Sequence, residues 1–329
     1  MRAAVHDRYG PPEVLRIEER PAPVPGTGEI LIKLGASSVT TADWRMRASA
    51  FPGGLWLAGR MMTGLWRPRR AILGVDGAGT VAALGAGVSH FSVGQRVFGF
   101  LGHGGHADYA IARADDAIVP TPPRLSDAEA AALPFGGLAA LVFLRDVARV
   151  SAGQRVLILG ASGGVGAYAT QIAKALGAHV TAVASAENAD LVRGLGADVV
   201  MDYRAEDPTR ERGVYDLVFD TVGATDWPHI RAALKRDGLF LPLNFGLRDL
   251  WHMLRAKISG GPRMALHVNG DTPEDLAALL KMIAAGDLRP VIDRRYPLAE
   301  IIEAHRYVEG RHRRGAVVLD LSAPEQGDP

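Results

Sequence analysis

Up to about residue 120 the apolar positions come in short runs separated by turn-forming residues. "EILIKLGASSV" and "GTVAAL" suit strands, whereas "PPEVL", "APVPGTGE" and "SVGQ" suit turns, and no long amphipathic helix interrupts them. This part reads as a mostly β domain. "PTPPRL" then punctuates the chain. "SDAEAAALPFGGLAALVFLRDVARV" follows, with helical apolar spacing behind a capping-box pattern of Ser126, Asp127 and Glu129. From Arg155 to about Val268 the pattern changes: the apolar runs "VLILG", "HVTAVAS", "DVVMDY", "DLVFDTVG" and "GLFLPLN" alternate with helix candidates such as "AENADLVRGLG" and "WPHIRAALKRD". That alternation predicts an α/β fold with a doubly wound parallel sheet and helices on both faces. "TPEDLAALLKMIAAG" is a further helix with a threonine cap and a glycine stop, and the tail from Pro290 adds short strands and one helix.

One junction in the alternating part carries chemistry. "GASGGVGAYATQIAKALGA", residues 160 to 178, lies between two apolar runs and reads as turn, helix and the approach to a second strand. Ala161, Gly163 and Gly166 have the spacing A-x-G-x-x-G, a variant of the dinucleotide fingerprint with alanine in first place. A helix amino terminus has unpaired N–H groups and a partial positive charge, so it favours a phosphate. Gly163 lets a pyrophosphate approach the backbone, and Gly166 lets the helix pack closely on its strand. An NAD site usually ends its second strand with a carboxylate for the ribose 2′-hydroxyl. Here that strand ends in Ala184 and Ser185, which leaves room for a 2′-phosphate, although Glu187 lies two residues on. Arg204, beside Tyr203, is placed to supply the missing positive charge. NADPH is the expected cofactor, with NADH possible.

Composition acts mainly by exclusion. The chain has 329 residues, which favours two domains, and its 48% apolar and 22% charged content is that of a soluble globular protein. A net charge of +1 gives no nucleic-acid or membrane footprint, and the local clusters Arg67, Arg69, Arg70 and Arg311, Arg313, Arg314 read as solvated faces. With no cysteine there is no disulfide, thiolate nucleophile or cysteine-ligated metal. "MRAAVHDRYG" has neither an apolar core nor a cleavage pattern, and no apolar run approaches the roughly 18 residues of a membrane helix, so a cytoplasmic protein is expected.

"AAVHDRYGPPEVLRIEERPAPVPGTGEILIKLGASSV" resembles the start of medium-chain dehydrogenases/reductases. "GASGGVG", "GLGADVVMDY", "YDLVFDTVG" and "PVIDRRYPLAEIIEAHRYVEGRHRRG" resemble its zinc-independent quinone oxidoreductase branch, in collinear order over nearly the whole chain. The resemblance implies a GroES-like domain over residues 1–122, completed by 289–329, and a Rossmann domain over 123–288. The active site would lie in the cleft between them. By position, Ser162, Gly163, Gly164, Val165 and Gly166 would face the pyrophosphate, Ser185 the 2′-phosphate, and Tyr203 the adenosine. Thr221 and Val222 would border the nicotinamide ribose, and Leu243 and Asn244 the carboxamide. A homodimer through the last Rossmann strand, "RMALHV", is implied by the resemblance alone.

The departures from the family are equally specific. Zinc-dependent relatives hold their metal through a Cys, the His of a G-H-E motif and a later Cys or acidic residue. Here the corresponding regions read "SSVTTADW", "GVDGAG" with Val75 in the histidine's place, and "PFGG". Asp43, Asp76, His103 and His106 are read as structural or solvated rather than as a substitute metal site. Ala139 and Ala316 replace a Thr and a Lys common in relatives, and residues 44 to 66 contain no tyrosine to donate a proton. Proton delivery is therefore expected from water, with Thr40 or Asp43 positioning it. Without a Lewis acid, a conjugated acceptor is easier to reduce than a simple carbonyl, because charge spreads over its π system. The expected activity is hydride transfer from NADPH to a small apolar quinone or α,β-unsaturated carbonyl. A non-enzymatic NADP(H)-binding sensor or scaffold and an enoyl-thioester reductase are the alternatives. The segment "FPGGLWLAGRMMTGLWRPRR" and the helix candidate "FGLRDLWHMLRAKISGG" are expected near the substrate. Met61, Met62, Met253 and Met264 offer adaptable walls. The stripe of Leu247, Leu250, Trp251 and Leu254 is expected to pack into the core.

Overall fold

The computed structural model describes residues 1–268 and 270–322. Its Rossmann part is a six-stranded, all-parallel sheet in the spatial order Val199–Asp202, His179–Ala184, Arg155–Leu159, Tyr215–Asp220, Leu234–Pro242, Arg263–Met264. Strand order reverses between Arg155–Leu159 and Tyr215–Asp220, so the carboxyl ends of these two strands open a crevice. The central strands are apolar through their middles because both faces are covered. Val156, Leu157 and Ile158 are fully buried, as are Val218 and Phe219.

The second sheet has seven strands and draws on both ends of the chain. The eleven-residue strand Glu29–Val39 is its axis, pairing with Asp76–Leu84, Tyr109–Arg113 and, from the far end of the sequence, Ala316–Asp320. Ile30, Ile32, Val317 and Leu319 share one buried core with Ile301 and Val308 of the helix Ile301–Glu309. This is the GroES-like architecture, and its last strand brings the basic tail "GRHRRG" back against the first half of the molecule.

Local structure follows the sequence in most places and departs in three. The capping box at Ser126 forms, with its Oγ accepting from the Glu129 N–H and the Glu129 carboxylate accepting from the Ser126 N–H. Behind it, however, the helical path to Val147 is not uniform. It widens into π turns at Pro134–Leu138 and Phe143–Val147, the first starting at a proline that has no N–H to offer the ladder. The "WPHIRAALKRD" segment forms only one turn, Trp227–Ile230, before the next strand begins at Leu234. The third departure is a correction. The helix Leu247–Ser259 forms, but Leu247, Leu250, Trp251 and Leu254 face outward, while Met253 and Ala256 of the same helix pack inward. Two eight-residue helices, Thr41–Ala48 and Trp56–Thr63, occupy the segment rich in tryptophan. Among the described residues, no helix is long and apolar enough to cross a membrane.

Candidate cofactor and acceptor site

The glycine turn sits at the crevice. Gly160 leaves the strand at φ +77°, and the helix Gly166–Ala175 begins six residues later. A Cβ on Gly166 would stand 2.1 Å from the Gly160 carbonyl oxygen and 2.8 Å from the Ala161 Cα, so only glycine allows this helix to seat on the turn. Gly163, Gly164 and Val165 line the cavity in front of it. A Cβ on Gly164 would come within 3.1 Å of the Arg313 guanidinium. Ser162 and Gly166 stand behind this wall, and the Ser162 Oγ accepts from Asn188 Nδ2 at 3.1 Å.

Two cavities flank the turn. The first, about 480 Å³, lies over the carboxyl ends of Arg155–Leu159 and His179–Ala184 and is lined by Leu159, Val183, Tyr203, Arg204 and Thr225. Arg204 is engaged there: its guanidinium lies 5.6 Å from the Tyr203 ring centroid and 3.2 Å from the Glu187 carboxylate. Ser185 is buried at the strand end, and the Asn188 side-chain oxygen nearby is buried without a hydrogen-bond partner among the described residues.

The second cavity, about 530 Å³, lies between the two sheets. Its walls are aromatic: Phe51, Phe100, Phe135, Phe143 and Phe245 border it, with Met46 and Met62. Thr221, Val222, Leu243 and Asn244 form its floor beside the glycine turn. That floor is held by Asp220, whose buried carboxylate accepts from the N–H groups of Val222, Gly223, Ala224 and Thr225 at 2.8–3.1 Å. Burial pushes the Asp220 carboxyl above the usual range, against the opposing pull of those four donors. The Thr221 hydroxyl donates to the Leu159 carbonyl at 2.8 Å, locking the two strand ends together.

Three arginines reach this cavity. Arg45 donates to the Asn244 side-chain oxygen, Arg311 to the Val222 carbonyl, and Arg313 to the Thr41 hydroxyl. Burial draws Arg313 down to about 10, which leaves it cationic at neutral pH. Burial also lowers Arg45, and repulsion from Arg311 adds to it. The sequence reading missed Thr41, Arg45, Arg311, Arg313 and the cavity-lining His267. The basic cluster at residues 311–314 divides: Arg311 and Arg313 turn to the cavity, while Arg314 is exposed.

Thr40 and Asp43, expected to position a proton, stand behind the cavity wall. Both are buried, and they cap the helix Thr41–Ala48. Asp43 Oδ2 accepts from the Thr40 N–H and hydroxyl at 2.8 and 2.6 Å, and its Oδ1 accepts from the Gly74 N–H at 2.8 Å. Their hydrogen bonds go to each other and to backbone N–H groups, and neither lines the cavity. His106 is structural, with Nε2 within 3.0 Å of the Ser38 carbonyl. Asp76 accepts from the Ser38 hydroxyl at 2.7 Å and the Phe135 N–H at 3.2 Å, pinning the first π turn to the GroES-like sheet.

Comparison with known proteins decides the family. Residues 26–123 match the alcohol dehydrogenase GroES-like domain and residues 195–319 the zinc-binding dehydrogenase model. A chloroplastic quinone oxidoreductase, QR1, of Triphysaria versicolor is 32% identical over 97% of this chain and 98% of its own. The chain belongs to the quinone oxidoreductase-like branch of the medium-chain dehydrogenases/reductases. It is an NAD(P)H-dependent oxidoreductase. Among solved structures, an Escherichia coli quinone oxidoreductase complexed with NADPH superposes with a TM-score of 0.83 at 26% identity, covering 98% of this chain and 100% of that one. The CurK enoyl reductase superposes with a TM-score of 0.84 at 25% identity over 97% and 98%. Membership in a family whose model is described as zinc-binding brings no zinc ligands here: the sequence has no cysteine, and Val75 is buried between Gly74 and Asp76. The residues do fit a dinucleotide. The side-chain-free wall at Gly163 and Gly164, the cation of Arg313 against it and the unpartnered oxygen of Asn188 are the features such a ligand needs.

Proposed function

We propose that the protein is an NADPH-dependent, zinc-independent reductase of quinones or α,β-unsaturated carbonyls. The observation that carries this reading is the aromatic-walled cavity between Phe135, Phe143 and Phe245, which opens onto the glycine turn. A flat conjugated acceptor fits walls of that kind, and stacking against a ring restricts its orientation. NADPH supplies the hydride when bound. Gly163, Gly164 and Val165 would seat its pyrophosphate against Arg313, with Thr221, Val222, Leu243 and Asn244 beneath the nicotinamide end. Tyr203 would flank the adenosine. Arg45 and Arg311 would stabilise the negative charge that gathers on the acceptor oxygen, a role for fixed cations in a partly dry site. Water at the mouth supplies the proton. Ser185 favours NADPH by leaving room for a 2′-phosphate, and Arg204 joins that site by exchanging Glu187 for the phosphate.

The test is turnover by chelator-treated protein, given NADPH or NADH and a panel of quinones, enones and alkenals, followed by loss of reduced-nicotinamide absorbance. NADPH-selective turnover that survives the chelator supports the reading. Preference for NADH removes the Ser185 argument. Binding without turnover of any acceptor transfers the case to a sensor or scaffold. Enoyl thioesters belong in the panel because cations flank the cavity mouth, a feature that suits a phosphate-bearing carrier.

A further inference from the structure

We infer that the rim of the acceptor cavity is a docking surface for an anionic lipid bilayer. Two segments build the rim. In the helix Leu247–Ser259, the outward stripe of Leu247, Leu250, Trp251 and Leu254 continues to Ile258, which is 87% exposed. In the helix Trp56–Thr63, Trp56, Leu57, Met61 and Met62 are exposed, and Trp66 just beyond it is 88% exposed. The segments touch, the Leu247 N–H donating to the Gly53 carbonyl at 2.9 Å. The cavity lining reaches Phe51, Pro52 and Met62 of the first segment and Phe245, which leads into the helix Leu247–Ser259. Isolated exposed apolar side chains need no explanation, but a contiguous set of tryptophans, leucines and methionines around one opening does.

Charge selects the occupant. Residues 51–72 contain four arginines (60, 67, 69, 70) and no carboxylate. Residues 246–264 add Arg248, Arg255, Lys257 and Arg263 against one carboxylate, Asp249, which caps its own helix by accepting from the Gly246 N–H at 2.8 Å. Since the whole chain carries only +1, the rest of the sequence is net acidic, and the excess of cations is gathered in these two segments. A second copy seated rim to rim would place cation against cation. An anionic bilayer accepts both features at once: the aromatic and aliphatic side chains enter the interface and the cations meet phosphates. Docking would also deliver the cavity mouth to the phase in which apolar acceptors concentrate. That purpose rests on the proposed function; the docking itself does not.

Co-sedimentation with vesicles of phosphatidylcholine alone, and of phosphatidylcholine mixed with phosphatidylglycerol, tests the inference. Wild type should bind only the mixed vesicles and should release in high salt. Trp251→Ser/Ile258→Ser should lose binding, and Arg255→Gln/Lys257→Gln should weaken it by roughly five-fold per cation removed. All four side chains are exposed, so melting temperature and turnover of a water-soluble acceptor should stay at wild-type values. Failure of wild type to bind either vesicle overturns the inference. So does a wild-type oligomer, seen by light scattering, that Trp251→Ser/Ile258→Ser dissociates, because a second copy then covers the rim. Vesicle binding by a protein that turns over no acceptor would leave docking intact and remove the proposed function.

Discussion

On the dinucleotide side of the cleft the site is mostly backbone. Gly160, Gly163, Gly164 and Gly166 set its shape, and the Asp220 carboxylate fixes the neighbouring loop through four N–H groups. On the acceptor side the site is mostly side chains, drawn from segments as distant as Arg45, Phe135, Phe245 and Arg311. The backbone half is least forgiving at Gly166, where an added Cβ meets fixed backbone atoms. A side-chain site tolerates many substitutions, and each one retunes it. On the proposed function, the first half of the cleft is therefore the rigid one and the second the adaptable one.

Gly166→Val attacks the rigid half directly, since its Cβ would lie 2.1 Å from the Gly160 oxygen. The helix must shift, which is expected to abolish NADPH binding by fluorescence titration and to cost about 1–3 kcal/mol in a urea melt. Undiminished binding would mean that the turn does not hold the cofactor. Arg45→Met is the matching change in the adaptable half. It removes a cation and frees the Asn244 oxygen, so kcat/KM for a quinone should fall roughly ten- to hundred-fold. NADPH affinity should fall by a smaller factor, through Asn244 alone. Equal losses in both would erase the proposed division of labour. Ser185→Asp is a smaller test on the dinucleotide side: a carboxylate there should repel a 2′-phosphate and shift the NADPH/NADH preference by roughly ten-fold toward NADH.

What was legible in the sequence follows the same division. Strands, the caps at Ser126 and Thr272, and the glycine turn depend on contacts within a few residues, so their patterns are local. The contact of Arg313 with Gly164 depends on the last strand returning to Glu29–Val39, which no local pattern encodes. Thr40 and Asp43 carry a local signal with a second meaning, because Thr-x-x-Asp before a helix is a capping pattern and the cap engages both side chains here. The stripe from Leu247 to Leu254 shows why periodicity has a limit. It establishes that one face of a helix is apolar and leaves open what covers that face.

Acid should destabilise the fold through a group outside both halves of the cleft. His305 is fully buried, and neither ring nitrogen has a hydrogen-bond partner among the described residues. Burial, then the neighbouring His106, Arg47 and His6, hold its imidazole well below the ordinary 6.5. The unfolded chain takes up that proton near pH 6.5 and the folded chain does not, so stability falls as pH drops below 6.5, by up to about 1.4 kcal/mol per unit. His6, lowered chiefly by burial, adds to the loss, while Asp76, raised chiefly by burial, opposes it. Both remain in His305→Met, so comparing its urea stability with wild type at pH 7.5 and 5.5 isolates His305. The variant should lose about 1 kcal/mol less between the two values; an identical loss would show that His305 does not govern the acid response. Arg47, buried beside this group and paired with Glu309 at 2.6 Å, belongs to the same helix as Arg45. Since the folded chain leaves His305 uncharged, its part in the acid response is on unfolding alone, and the turnover of wild type and of His305→Met should follow the same pH profile while both stay folded.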